Sequence, residues 1–269
     1  MSTMTTRSQG QDFPAELRRW RTARRLSQLE LAARAETSQR HLSFIESGRS
    51  RPGRTMIIRL AESLGLSLRE RNALLHTAGF APVFTESDLD APMLRPVHDA
   101  LRAVIEGHLP YPALVLRPYG QIVAANEAVD VLTEGASAEL LKPPVNMLRV
   151  MLHPDGMGPR VLNLNAWGHH VLENMRAQAL RSPDPLLDAF IEELRGYVPH
   201  AELGPDHLGF AVPLRLRTLD GQGELRLLTT LTSFATATDI TLAELHLEAF
   251  LPADEATATA LRRRAADRG

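Results

Sequence analysis

The sequence predicts an all-α domain of five helices followed by an α+β domain built on one five-stranded antiparallel sheet. Helical spacing of apolar residues continues from Phe13 to Gly79, whereas apolar and polar residues alternate in short runs after Pro110. A stretch rich in Pro and acidic residues, 81–95, lies between the two patterns and marks a linker. The 269 residues, 44% hydrophobic and 23% charged, suffice for two folded domains of ordinary size.

Capping residues divide the first part into separate helices. Ser27 and Glu30 have the spacing of a capping box at the start of the second helix. A four-residue turn at 35–38 precedes the third helix, which Gly48 ends. The helices are expected from Phe13 onward and over 28–35, 39–47, 55–64 and 67–78.

The second part alternates between helical and strand-like patterns. A connecting helix is expected at 96–107, and further helical segments at 126–132, 146–152, 160–180 and 185–197. Strands are expected at 113–116, 121–124, 212–217, 225–234 and 243–249. In the last of these, Ala243, Leu245, Leu247 and Ala249 alternate with Glu244, His246 and Glu248. The domains are therefore placed at 10–80 and 96–255, with the linker at 81–95 and a C-terminal tail, which forms at most a short polar helix, at 256–269.

Composition excludes several classes of protein. No apolar run approaches the ~20 residues that a membrane span needs, and residues 1–10 lack the apolar region of a secretory signal. We therefore expect a cytoplasmic protein without membrane insertion. The absence of Cys rules out disulfides, thiol catalysis and Cys-based metal sites. Of the ten His, His169 and His170 are adjacent and point apart on a helix, so no metal site is expected.

The charge is unevenly distributed along the chain. Residues 1–80 carry 14 Arg, no Lys and 7 acidic residues, a net charge of +7, whereas the whole chain has a net charge of −2. A basic domain beside an acidic one indicates that the basic domain binds a polyanion.

The second and third helices, with their four-residue turn, have the layout of a helix-turn-helix that reads duplex DNA. Leu42 and Ile45 are apolar anchors for the inward face of the third helix. Its outward face is rich in the short polar, Gln and Arg side chains that read base edges in the major groove. Gln28 opens the preceding helix, where it can hold a phosphate, and a basic loop follows the third helix. The candidate DNA-binding residues are Gln28, Ser38, Gln39, Arg40, Ser43, Arg49, Arg51 and Arg54.

Residues 13–67 resemble the Cro/repressor-type helix-turn-helix proteins of the xenobiotic-response-element family. The resemblance is carried by LSQLELA at 26–32, SQRHLSFIESGR at 38–49 and LAESLG at 60–65. The sequence departs from the family at Glu36, where Gly is usual in the turn. A Glu in a left-handed conformation costs about 1 kcal/mol and places an acid near the DNA.

No catalytic or phosphate-binding motif is present in the second part: it has no P-loop, no HExxH, no GxSxG and no dinucleotide fingerprint. Residues 1–260 together resemble the MmyB-like regulators. The carrying segments are RHLSFIESGRSRP at 40–52, RERNALL at 69–75, AGF at 78–80, YPALV at 111–115, PVNMLR at 144–149, LHPDG at 152–156, VPLRLR at 212–217 and TLAEL at 241–245. The resemblance implies a C-terminal PAS-like ligand-binding domain, in some members a binder of long-chain fatty acids, and places Asn126 just after the second strand of that domain.

An acyl ligand needs an apolar lining and a donor for its carboxylate, for which the forked guanidinium of Arg is best suited. In the segment 146–153, Arg149 is the one charged residue among apolar ones, and His153 lies four residues further on the same helix face. We expect Arg149 to bind the head group, with Asn146, His153, Asn163 and Trp167 near the pocket. In the alternative, Arg149 forms a structural ion pair, for instance with Asp155, and Trp167 is an ordinary core residue.

The sequence therefore predicts a transcription regulator, not an enzyme, that binds a duplex DNA operator as a homodimer. A small apolar or acyl ligand, with a fatty acid as the candidate effector, shifts its operator affinity, and no cofactor is required. Two alternatives remain open at this point. In the first alternative, a protein partner controls the regulator and no small ligand is involved. In the second, an enzyme domain is fused to the DNA-binding domain.

Overall fold

The structure, a computed structural model, describes residues 13–199, 211–234 and 236–268. They form two compact units. The first combines 13–88 with 236–243, and the second combines the described parts of 89–234 and 244–268. The boundary near residue 88 falls inside the predicted linker. The sequence does not predict that residues 236–243, which follow a strand of the sheet, group with the N-terminal helices.

Eleven α-helices and five strands are found in the described ranges. The helices are α1 (Phe13–Ala23), α2 (Gln28–Arg34), α3 (Gln39–Glu46), α4 (Arg54–Ser63), α5 (Leu68–Thr77), α6 (Arg95–Glu106), α7 (Met147–Leu152), α8 (Leu164–Arg181), α9 (Pro185–Arg195), α10 (Ile240–Ala243) and α11 (Glu255–Ala266). The strands are β1 (Ala113–Leu116), β2 (Ile122–Ala125), β3 (Leu214–Arg217), β4 (Glu224–Ser233) and β5 (His246–Pro252). None of these helices is long and apolar enough to cross a bilayer.

In the first unit, five helices surround one apolar core, as predicted. Ser27 and Glu30 form the expected capping box of α2, and Ser67 and Glu70 form a second one at α5. The fully buried side chains come from all five helices: Leu17, Leu31, Leu42, Ile45, Ile57, Leu60, Leu74 and Leu75. The amphipathic spacing in the sequence therefore specifies this unit directly.

The segment 83–88 is held against α5, and α10 is held against that segment. The Asn72 side chain donates to the Phe84 carbonyl at 2.7 Å and accepts from the Val83 and Phe84 amides. The buried Asp239 carboxylate accepts from the Thr85 hydroxyl at 2.9 Å and from the Ser87 amide at 3.1 Å. Thr85 and Ser87 are thus tied to residues about 150 positions further on.

The second unit is built on a five-stranded antiparallel sheet with the strand order β2-β1-β5-β4-β3. Its main core lies on one face, to which Leu114 of β1, Leu216 of β3, Leu227 of β4 and Phe250 of β5 contribute. Helices α7, α8 and α9 supply further core side chains, among them Trp167. This is the α+β fold predicted from the sequence.

Besides shifts of one or two residues, four elements differ from the sequence-based expectation. The segment predicted as a tail forms the 12-residue helix α11, whose buried Leu261 belongs to the main core. The predicted helix at 126–132 is a 3₁₀ helix with i to i+3 hydrogen bonds. The predicted helix at 160–180 begins only at Leu164, because the Asn163 side chain is hydrogen-bonded to β3. Strand β5 begins three residues later than predicted, because Asp239 accepts from the Thr241 and Leu242 amides and stabilises the turn of α10.

Candidate DNA-binding face and ligand-binding site

Helix α3 presents the polar face that the sequence predicts. The Ser38 hydroxyl accepts from the His41 amide at 3.1 Å and caps the helix, while Leu42 and Ile45 are completely buried beneath it. Gln39 and Arg40 are exposed, and Ser43 is partly exposed. In the described ranges, the Gln39 and Ser43 side chains form no hydrogen bond, so their polar groups remain available for base edges.

Three arginines in and after α3 lie over aromatic rings. Arg40 and Arg49 lie over the Phe44 ring, 5.4 and 5.9 Å from its centroid, and Arg54 lies 5.8 Å from the centroid of Phe80. Cation–π contact orients a guanidinium without neutralising its charge. Arg51 is exposed and has no hydrogen-bond or ion-pair partner within the described part of the chain. These cations suit contacts with phosphates.

Glu46, at the end of α3, is a buried charged residue whose hydrogen bonds link α1, α2 and α3. Its carboxylate accepts two hydrogen bonds from Arg21, at 2.6 and 3.0 Å, and one from the Gln28 amide at 2.8 Å. Burial opposes ionisation of this carboxyl, but the hydrogen bonds from Arg21 and Gln28 outweigh burial and lower the pKa of Glu46. The Gln28 side chain, a predicted phosphate contact, is therefore engaged inside the protein.

The turn between α2 and α3 contains Glu36 in the left-handed conformation, with φ of 50°. This is the conformation in which Gly is free of steric strain. Its carboxylate lies 3.9 Å from the Arg59 guanidinium, and both side chains are exposed. Such an exposed pair contributes little to stability.

In the second unit, Arg149 is already paired with a carboxylate. Its guanidinium donates two hydrogen bonds to Glu193 of α9, at 2.6 and 2.8 Å, and lies over the Phe190 ring. The Tyr197 hydroxyl donates to the same carboxylate at 3.0 Å. The hydrogen bond from Arg149 is the main cause that lowers the pKa of Glu193. The ion pair is of the structural kind that the alternative interpretation described, with Glu193 in place of Asp155.

Asn146 and His153 bracket the same helix. The Asn146 side chain caps α7 by accepting from the Arg149 amide at 3.0 Å and donates to the Tyr119 carbonyl at 2.8 Å. The His153 ring accepts at Nδ1 from the Asp155 amide, and its centroid lies 4.7 Å from that of Tyr197. The structure therefore brings Asn146, Arg149 and His153 together with α9, with most of their polar groups internally bonded.

Asn163 and Trp167 lie at the start of α8. The buried Asn163 side chain donates to the Pro213 carbonyl at 2.8 Å and accepts from the Arg215 amide at 3.1 Å. Trp167 is 6% exposed and contributes to the main core. Asn163 thereby fastens α8 to β3.

Asn126 has a structural role at the predicted position after β2. Its buried side chain accepts from the Ala113 amide and donates to the Ile105 and Tyr111 carbonyls. It satisfies three backbone groups where α6, β1 and β2 meet, which explains an amide at this position.

Two polar residues that the sequence analysis did not select lie on β5. Glu248 is paired across the sheet with Leu114 of β1 and Leu231 of β4, and His246 with Leu116 and Ser233. Directly paired residues share a face, so both side chains lie on the face of Leu114, which holds the main core. The alternation in the sequence was the available signal, but it does not tell which face is outward.

No group of three metal-binding side chains is found where the structure describes the chain.

Comparison with known proteins agrees with two separate domains, a helix-turn-helix followed by a ligand-binding domain. A family model of the MmyB-like transcription regulator ligand binding domain matches residues 97–263, and a helix-turn-helix model matches residues 17–71. No curated protein is significantly similar to the chain.

One solved structure, described as that of an RNA-binding light-oxygen-voltage receptor, aligns with 96% of this chain at 14% identity. The chain spans 62% of the length of that receptor, and the TM-score is 0.26, which is too low to indicate a shared fold. The family model covers more than half of the chain and confirms the predicted family. The chain thus belongs to the MmyB-like transcription regulators, with a helix-turn-helix that binds DNA and a ligand-binding domain.

Proposed function

We propose that this regulator binds its operator through the outward face of α3 and that an acyl ligand, a long-chain fatty acid in the first instance, tunes operator affinity. A ligand regulates only if it binds two states of the protein with different affinity, so a physical route from the sheet to the DNA-binding helices is needed. The grouping of residues 236–243 with those helices is the observation that carries the proposal.

The route follows the chain itself. Strands β4 and β5 are paired from Leu227 opposite Pro252 up to Ser233 opposite His246, and the segment between their ends contains α10. Asp239 and Ile240 of this segment are hydrogen-bonded to Thr85, and Thr241 donates to the Ser87 carbonyl. A change in the β4–β5 pair is therefore transmitted to 83–88 and from there to α5.

The apolar side chains of the main core support an acyl chain as the ligand. The main core of the second unit contains four methionines, Met147, Met151, Met157 and Met175, whose flexible side chains adapt to irregular apolar surfaces. The chain of the ligand is proposed to lie beside α7, near the predicted residues Arg149, Asn146, His153, Asn163 and Trp167.

Native mass spectrometry of the purified full-length protein, followed by denaturation and lipid extraction, tests the ligand. Release of a fatty acid is expected and would give its chain length. A mass without ligand, together with no binding of added fatty acids, would contradict the proposal and favour control by a protein partner. The same spectrum tests the homodimer, which we propose because helix-turn-helix readers bind two half-sites symmetrically.

Asp239→Ala tests the route. This variant is expected to bind operator and fatty acid but to lose the effect of the fatty acid on operator affinity. Asp220→Ala is the matched control, because Asp220 accepts from a Thr hydroxyl and a backbone amide at the β3–β4 turn, at the other end of β4. Equal ligand effects in the two variants would contradict the proposed route.

A further inference from the structure

Strand β5 carries on its core face two polar groups that have no partner among the described residues, the Glu248 carboxyl and Nδ1 of His246. Glu248 forms no hydrogen bond or ion pair with the part of the chain that the structure describes. Nδ1 of His246, two residues away on the same face, is buried and also lacks a partner among the described residues. Natural proteins pair nearly all buried groups like the His246 nitrogen, because an unpaired buried polar group costs about 1–3 kcal/mol, whereas the Glu248 side chain is partly exposed.

The surroundings of Glu248 are apolar on one side and open on the other. Leu114, opposite on β1, is completely buried in the main core, as is Phe250 two residues along β5. Leu231, opposite on β4, is 64% exposed, and Thr229 and Ser233 on the same face of β4 are also exposed. The carboxyl thus lies where the covered part of this face meets an uncovered part.

Burial raises the pKa of Glu248 to about 7, and burial lowers the pKa of His246, with Glu244 opposing that shift. The facing positions on β1 and β4 carry no charged side chain. The charged residues of α11, which contacts both β4 and β5, include Glu255 paired with Arg262 and Arg264 paired with Asp130 and Glu134. Burial alone shifts the pKa of Glu248. Neither Arg263 of α11 nor these ion pairs contribute to that shift. Near neutral pH both groups are therefore substantially uncharged, and each can donate a hydrogen bond.

We propose that Glu248 and His246 bind the oxygen-bearing polar end of the acyl ligand, and that the ligand binds together with a proton on Glu248. The inference rests on the proposed function, of which it names the head-group site. An uncharged carboxyl and a neutral imidazole offer donors to a carboxylate, and the ligand supplies the partner that the described residues do not provide. The Arg149 guanidinium, in contrast, already has Glu193 as its partner.

This site also lies next to the proposed route to the DNA-binding helices. His246 is the first residue of β5 and is paired with Ser233, the last residue of β4. The head group would therefore bind where the two strands lead into the segment that contains α10.

The affinity of the full-length protein for cis-parinaric acid, a fluorescent fatty acid, tests the proposal as a function of pH. If only the form with protonated Glu248 binds, affinity falls about tenfold between about pH 6 and about pH 8, since the carboxyl titrates near 7. Glu248→Gln keeps the group neutral and is expected to bind about tenfold more tightly than the wild type at about pH 8, with a flat profile.

Arg149→Met is the matched variant for the competing head-group site. Under the present proposal it retains the tenfold pH effect of the wild type. A flat or rising pH profile in the wild type, or a large loss of affinity at every pH in Arg149→Met alone, would overturn the inference and leave the acyl ligand intact. Absence of cis-parinaric acid binding at any pH would instead contradict the acyl ligand itself, and the inference with it. The wild-type profile decides the matter even if Glu248→Gln fails to fold.

Discussion

The two units of this regulator differ in where their proposed contact residues lie. In the DNA-binding unit, Gln39 and Arg51 project into solvent, and the buried carboxylate Glu46 is fully paired. In the ligand-binding unit, Arg149 near the surface is paired, whereas Glu248 on the core face of the sheet has no partner among the described residues. The difference follows from the partner, because duplex DNA meets the protein at its surface and a small ligand is enclosed by it.

The energetic cost of an unpaired polar side chain differs between the surface and the core. At the surface, water solvates Gln39 or Arg51 until DNA replaces it, so such residues are nearly neutral for stability. In the core, an unpaired group lowers stability until a ligand binds. The following changes test this contrast.

Arg21→Met is expected to have the largest effect, because it leaves the Glu46 carboxylate buried without its main cation. Breaking a buried ion pair in this way costs about 3–5 kcal/mol. The chain contains two Trp, Trp20 in the first unit and Trp167 in the second. Unfolding followed by Trp20 fluorescence in a Trp167→Phe background therefore measures the DNA-binding unit within the full chain.

The double variant Arg21→Met with Glu46→Leu is the control, since replacing both charges by apolar groups recovers most of the loss. The pH dependence gives a second check. The pKa of Glu46 is lowered on folding, so its contribution is present above about pH 4.3, the ordinary Glu pKa, and is lost as pH falls through the lowered pKa. An Arg21→Met variant as stable as the wild type at neutral pH would show that Glu46 needs no cation.

The fold could be predicted where its signals are local. The capping box of Ser27 and Glu30 and the alternation in β3 lie within a few residues and were sufficient to place their elements. The start of β5 was predicted three residues too early, because the turn before it depends on Asp239, whose other partners are Thr85 and Ser87. A contact across about 150 residues leaves no local pattern.

The candidate site residues, too, could be predicted only where their sequence signal is local. The outward face of α3 is apparent from helical periodicity, because only one face of that helix is buried. The sequence shows only that Leu245 and Leu247 alternate with His246 and Glu248. Both faces of β5 are in fact partly covered, with Leu247 on one and Phe250 on the other, and periodicity alone does not distinguish them.

Gln39→Ala is expected to change base preference more than stability. If Gln39 forms a bidentate contact with one base, discrimination at that position falls by about 1–3 kcal/mol. Selection from randomised duplexes, followed by affinity measurement on single-base variants of the operator, detects this loss. Gln222→Ala, in the exposed β3–β4 turn, is the control and should leave every position unchanged. An unaltered preference in Gln39→Ala would place the reading face elsewhere.

Arg51→Ala is expected to weaken binding to all sequences alike, because a phosphate contact carries no base information. The slope of log affinity against log salt should become shallower by about 0.9, the value for one phosphate contact on duplex DNA. Titrations of a fluorescent operator at several salt concentrations give this slope. Arg217→Ala, an exposed arginine of the ligand-binding unit, serves as the charge-matched control. A sequence-dependent loss in Arg51→Ala would indicate base contact instead.

Glu36→Gly is expected to have the smallest effect, a gain in stability of up to about 1 kcal/mol, because Gly adopts the left-handed turn without strain. The gain is partly offset by the greater freedom of Gly in the unfolded chain. Trp20 fluorescence in the Trp167→Phe background measures it. Glu36→Ala separates the two properties of this residue, since Ala removes the charge and the exposed pair with Arg59 but keeps the strain. Equal gains in both variants would mean that charge, and not backbone conformation, sets the cost of Glu36.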